Sequence, residues 1–157
     1  MELKPISFRD LSDIEFALAM GVGPTTGCGI LVVSFTGICG IGSDGNDDAE
    51  FMRAIVVAAL DAWTPSGLVL DLRQLSYEWG DLMTGVLCGG DRCCAVPMLP
   101  AAVLVSDLCR EGLTSLVERE MGGVPAQWLF DDLEIAVREI ETQMQAAAGC
   151  GDTEDHE

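Results

Sequence analysis

The 157-residue chain is predicted to fold as a single α/β domain, a mixed or mostly parallel β-sheet covered by amphipathic helices. Three observations predict it. Short β-branched and apolar runs, centred near Val33, Leu70 and Leu104, read as buried strands. The segments between them repeat apolar residues three and four apart, the period of one helix face. Each change of period falls at a Gly, Pro or Asp cluster. The domain is expected to span 1–148, and 149–157 reads as a disordered acidic tail that carries the single histidine, His156.

The elements follow in order. Asp13 to Met20 reads as a strand or a short helix. Gly29 to Gly37 (GILVVSFTG) is a buried strand, and Gly40 to Asn46 a glycine-rich loop. Asn46 and Asp47 offer an N-cap for a helix reaching about Ala62, striped by Met52, Ile55, Val56, Ala59, Leu60 and Trp63. The stripe places Trp63 in the core. Pro65-Ser66-Gly67 ends this helix, and Leu68 to Leu72 is the next strand. A helix from about Trp79 to Cys88 follows, then a strand over Ala101 to Val105 opened by Pro100. Leu113, Leu116, Val117 and Met121 stripe a helix closed by Gly122-Gly123. Gln127 to Phe130 reads as a short last strand. Asp131-Asp132 then caps a helix with Leu133, Ala136, Val137, Ile140 and Met144 on one face.

Composition excludes several classes of function. The net charge is −18, from 8 basic and 26 acidic residues, so a phosphate backbone is repelled and nucleic-acid binding is not expected. A basic protein surface would be attracted, with association fastest at low salt. The longest uninterrupted apolar run, Ala54 to Leu60, falls far short of the roughly 20 residues that span a bilayer. The first residues lack a basic region leading into an apolar one, so no secretion signal is read. With that reading, the seven cysteines are expected to be reduced thiols in a cytoplasmic protein.

Four patterns bear on chemistry. Gly40 to Gly45 spells G-x-G-x-x-G between a strand and a helix, with Asp71 ending the next strand, the setting of a dinucleotide site. Against it, Asp44, Asp47 and Asp48 crowd the place of the pyrophosphate, and a flexible loop is the expectation. Cys88, Cys93 and Cys94 lie close together, but no second pair completes a tetrahedral set, so neither metal nor cofactor is expected. One tail histidine and one lysine, Lys4, leave a serine or cysteine nucleophile without a base. Trp79, between Glu78 and Gly80-Asp81, is either an exposed interface anchor inside an acidic rim or half-buried under its loop.

Several strings, taken in order, resemble STAS domains, the family of anti-sigma factor antagonists. These are the strand Ile30 to Gly37, the run Leu68 to Tyr77 with its "LVLDL", and Ala102 to Ser106 followed by a helix and Leu129 to Ala136. The likeness covers roughly 29–144. It implies a small, non-enzymatic domain that binds another protein, as antagonists of this kind dock on anti-sigma kinases. The expected contact surface is Tyr77, Glu78, Trp79, Gly80, Asp81 and Met83. The family's signalling loop usually reads Asp-Ser-Ser-Gly, with a phosphorylated serine. Here Trp79-Gly80-Asp81-Leu82 stands in its place, and Asp81 falls at the phosphoserine position. A fixed carboxylate there would imitate part of the charge of a phosphate. Two other readings stay open: an acidic immunity or inhibitor protein covering a basic partner, and a crotonase-like or nucleotide-binding enzyme. The sequence leaves the oligomeric state open.

Overall fold

The computed structural model describes residues 1–93 and 98–149. After a 3-10 turn at Phe8–Asp10, β1 (Glu15–Val22) and β2 (Gly29–Ile38) form an antiparallel hairpin, in register from Glu15 opposite Thr36 to Val22 opposite Gly29. Of the stretch Asp13 to Met20, open between strand and short helix in the sequence, the structure makes Glu15 onward strand and extends it to Val22. A 3-10 turn at Gly42–Gly45 leads into α1 (Asn46–Trp63), and β3 (Gly67–Ser76) returns parallel to β2. Next come α2 (Met83–Leu87), β4 (Ala101–Leu104), α3 (Arg110–Glu120), the single turn α4 (Pro125–Trp128), β5 (Leu129–Phe130) and α5 (Leu133–Gly149). The five strands lie in chain order, β1-β2-β3-β4-β5, antiparallel at the first pair and parallel at the rest.

The sheet buries two faces. On one, Leu31, Val33, Phe35, Leu68, Leu70 and Leu72 pack against α1, α2 and α3 through side chains such as Met52, Leu60, Val86 and Leu116. On the other, Ile30, Val69, Ala102 and Leu104 pack beneath Ala136 and Ile140 of α5. Burial on both faces explains why the central strands read as continuous apolar runs with no alternation. The three segments centred on Val33, Leu70 and Leu104 are neighbours in one sheet, as the sequence predicts.

Four expectations need correction. Trp63 keeps the period of the α1 stripe but is 54 % exposed, because the core beneath the helix ends at Leu60 and Thr64 turns the chain away in a left-handed conformation (φ 43°). The α1 N-cap is Gly45, not Asn46 or Asp47. The helix expected from Trp79 begins at Met83, since Trp79 and Gly80 are held in a turn described below. The stretch from Gln127 opens inside a helical turn, for Pro125 at its first position presets the helical φ, and only Leu129–Phe130 pairs as strand. The expected cap of the last helix is present: the Ile135 N–H donates to Asp132 Oδ1 at 3.1 Å. That helix runs to Gly149, and the rest of the expected tail, His156 included, lies outside the described residues.

Candidate functional site

The C-terminal ends of β2, β3 and β4 send out three loops, and backbone hydrogen bonds tie the middle one to both neighbours. The Cys39 N–H donates to Ser76 O and the Gly42 N–H to Trp79 O, both at 2.9 Å, joining the β2–α1 loop to the β3–α2 turn. The Tyr77 N–H donates to Leu108 O at 3.1 Å, joining that turn to the β4–α3 loop. Below, the Ser106 hydroxyl donates to Arg73 O at 2.7 Å and the Cys109 thiol to Leu72 O at 3.3 Å. A loop held on both sides loses little freedom on meeting a partner.

The six residues expected to contact a partner divide in two. Glu78 and Asp81 are exposed, Trp79 is 47 % exposed and Gly80 is half-buried. Tyr77 and Met83 are buried at 3 % and 1 %, so they hold the turn up from beneath and present nothing to solvent. The Tyr77 hydroxyl donates to Gly80 O at 2.8 Å. Burial, with the charges of Cys39 and Asp81 adding to it, pushes the Tyr77 phenol up to about 12, so it remains a neutral donor. Asp81 contributes its carbonyl to the first turn of α2, accepting from the Thr84 N–H at 3.2 Å and the Thr84 hydroxyl at 2.9 Å. Its carboxylate faces water.

Two glycines explain how the loops come so close. Gly42 has φ +59°, and a Cβ there would lie 2.5 Å from the Trp79 ring. A Cβ on Gly112, in the first turns of α3, would lie 2.5 Å from Glu78 O and 2.9 Å from the Tyr77 ring. The G-x-G-x-x-G string is therefore occupied by packing. Trp79 lies on it, and the space left between them is about 10 Å³, about one water molecule's worth and too small for a nucleotide. The first turn of α1 is engaged as well: Asp48 Oδ2 accepts from the Gly40 N–H at 2.9 Å and Oδ1 from the Ser12 hydroxyl at 2.6 Å. A pyrophosphate would meet this carboxylate where it needs a donor. The loop expected to be flexible packs against Trp79 and is hydrogen-bonded to its turn.

Among the described residues no group of three His, Cys, Asp or Glu side chains could hold a metal ion. Of the expected cysteine cluster, Cys88 is half-buried and Cys93 buried, while Cys94 lies outside the described residues. Burial, with Asp48 nearby, pushes the Cys39 thiol up to about 11, and burial also raises Cys109, which disfavours the thiolate at both.

Sequence reasoning did not find the other wall of the site. Beside the Trp79 turn runs an open groove of about 590 Å³, whose far side is formed by Asp107, Leu108, Glu111 and Ser115 at the start of α3. The one sign of it in the sequence is Gly112, a glycine near the start of a helical stripe, where close approach of another backbone is the usual reason.

Among solved structures, the chain is similar to an anti-sigma factor antagonist from Mycobacterium paratuberculosis, with 16 % identity, a TM-score of 0.54, and 81 % of this chain and 95 % of that one covered. It is also similar to the anti-sigma factor antagonist SpoIIAA in its unphosphorylated form, with 16 % identity, a TM-score of 0.46, and coverage of 86 % and 99 %. No protein-family model and no curated protein matches the sequence. The fold is STAS-like: one α/β domain with a five-stranded, mostly parallel mixed sheet, the architecture of an anti-sigma factor antagonist. No helix among the described residues is long and apolar enough to cross a membrane.

Proposed function

We propose that this chain is a non-catalytic regulatory protein that binds a partner protein through the β3–α2 turn, in the manner of an anti-sigma factor antagonist. The observation that carries the reading is the state of Trp79, a large aromatic left 47 % exposed on a turn that is bonded to both flanking loops. Exposed aromatics on rigid supports make effective interface anchors. Glu78, Trp79, Gly80 and Asp81 form the contact surface, and Tyr77 and Met83 hold it in shape. Asp81 stands where the STAS resemblance places a phosphoserine, and its exposed carboxylate supplies a permanent negative charge there, so binding does not depend on a kinase. The partner surface is basic, to match a net charge of −18, and the unbridged thiols of Cys28, Cys39 and Cys109 suit the reducing cytoplasm.

The charge favours one second reading, an acidic inhibitor that covers a basic protein. Binding that collapses between about 50 and 500 mM salt, with Trp79→Ala without effect, would select it.

The test is affinity capture at low salt with wild type, Trp79→Ala and Asp81→Ser side by side. Trp79→Ala is expected to lose the partner at least ten-fold. Asp81→Ser is expected to change its recovery while leaving the thermal midpoint in place. Identical recoveries from all three proteins would sink the proposed surface.

A further inference from the structure

We infer that the groove between the β3–α2 turn and α3 is a docking channel for a basic segment of the partner, one apolar side chain flanked by arginine or lysine. This rests on the reading of the chain as a protein-binding module and gives that partner its chemistry. At about 590 Å³ the groove has the size of a recognition site and accommodates several side chains. Its lining includes two half-exposed apolar side chains, Trp79 at 47 % and Leu108 at 52 %, which offer a seat for an apolar anchor.

Its charge is one-sided. Glu78, Asp107 and Glu111 line it, and no lysine or arginine does. The ion pairs among the described residues, Arg9–Glu15, Arg73–Asp71, Arg92–Asp61 and Arg110–Asp131, leave these three carboxylates out. Arg110, which stands next to Asp107, is thus already engaged by Asp131, and the Arg119 guanidinium donates to Ser115 O at 3.4 Å. Three acids outside the ion pairs, with Arg110 near Asp107 but bonded to Asp131, lie beside an apolar seat and favour a segment with cationic flanks. An anionic or neutral segment gains only the apolar term.

The two walls are joined at their base. Gly112 lets α3 approach Glu78 O closely, and the Tyr77 N–H to Leu108 O bond joins the two sides at the floor. The groove is therefore formed before the ligand arrives, and little ordering opposes binding.

The experiment uses the full chain and a synthetic 12-residue peptide of arginine and glycine with a central leucine, titrated by amide-resolved NMR at low salt. Shifts are expected to concentrate at Trp79, Leu108, Glu111, Gly112 and Ser115. Asp107→Asn/Glu111→Gln is expected to weaken the peptide at least ten-fold. Asp13→Asn/Glu139→Gln carries the same charge change ahead of β1 and on α5, and is expected to weaken it less than two-fold. Replacing the peptide's leucine with glycine is expected to cost about five-fold. Equal weakening by both double variants means diffuse charge attraction and overturns the inference, as does a peptide that fails to bind or shifts resonances elsewhere. If Trp79→Ala abolishes partner capture while Asp107→Asn/Glu111→Gln leaves capture intact, the turn binds protein without the groove, and this inference alone falls.

Discussion

Glu141, on α5, is a carboxylate only 3 % exposed, and it is there because it has donors. Its Oε1 accepts from the Thr25 N–H at 2.9 Å, the Thr26 N–H at 2.8 Å and the Thr26 hydroxyl at 2.9 Å, all in the turn between β1 and β2. These bonds, the Thr26 N–H first among them, hold its pKa below the ordinary 4.5. A lowered folded-state pKa means the stabilisation is complete above about 4.5 and fades as the pH falls through the folded value. Glu141→Gln is therefore expected to lower the melting temperature at pH 7, with the gap to wild type closing toward pH 3. A gap that does not depend on pH, measured by thermal scans across this range, would mean that the charge is not what matters. Cys39 gives a second residue-scale expectation. Its thiol, raised from 9.0 to about 11 and buried, carries roughly a hundredth of the ordinary thiolate near pH 8. Iodoacetamide at pH 8 should label Cys39 at least about a hundred-fold more slowly in the native protein than in urea, as peptide mass spectrometry would show.

At the scale of elements, the loops are set by where a side chain cannot fit. Gly112→Ala puts a Cβ 2.5 Å from Glu78 O, a backbone atom held in place, and is expected to cost about 1–3 kcal/mol in urea unfolding. Gly21→Ala, on β1, meets nothing within 4 Å and is expected to stay within about 0.5 kcal/mol of wild type. A Gly112→Ala as mild as Gly21→Ala would mean that the two walls of the groove are not in contact. This same crowding marks where sequence reading stops. The strands at Val33, Leu70 and Leu104 were legible because a strand buried on both faces announces itself in composition. The stripes of α1, α3 and α5 were legible because helix period is local, although the period alone could not show that Trp63 outruns the core. The Trp79 turn was located, but the burial of Tyr77 and Met83 depends on α3 and the β2–α1 loop, which are distant in sequence. The wall at Asp107, Leu108 and Glu111 was invisible for that reason. The glycine string sits in the setting of a phosphate loop and was expected to be a flexible loop, because glycine reports close approach without saying what approaches. Here it is an indole.

The molecule as a whole carries −18, and much of that charge lies on exposed side chains that repel one another. Raising NaCl from 20 to 500 mM shortens the screening distance from about 20 Å to about 4 Å and is expected to raise the melting temperature. The same change is expected to weaken the basic partner. Stability and binding moving in opposite directions with salt, in parallel thermal and binding titrations, is the pattern expected; movement in the same direction would place the dominant charges at the interface in doubt.

Strands that neighbour one another in the sheet also neighbour one another along the chain. Each newly synthesised strand can therefore add to the outer side of those already in place, and none has to be threaded between two earlier ones. α5 comes from the ribosome last among the described elements, yet its Glu141 closes on Thr25 and Thr26 in the β1–β2 turn, which is made before the other described strands. A nascent chain still lacking that helix has an open hairpin turn and a bare apolar face over Val69 and Leu104. The α5 clasp thus distinguishes a domain with all its described elements in place from one that lacks its last helix, and the latter should be what a protease or chaperone finds first.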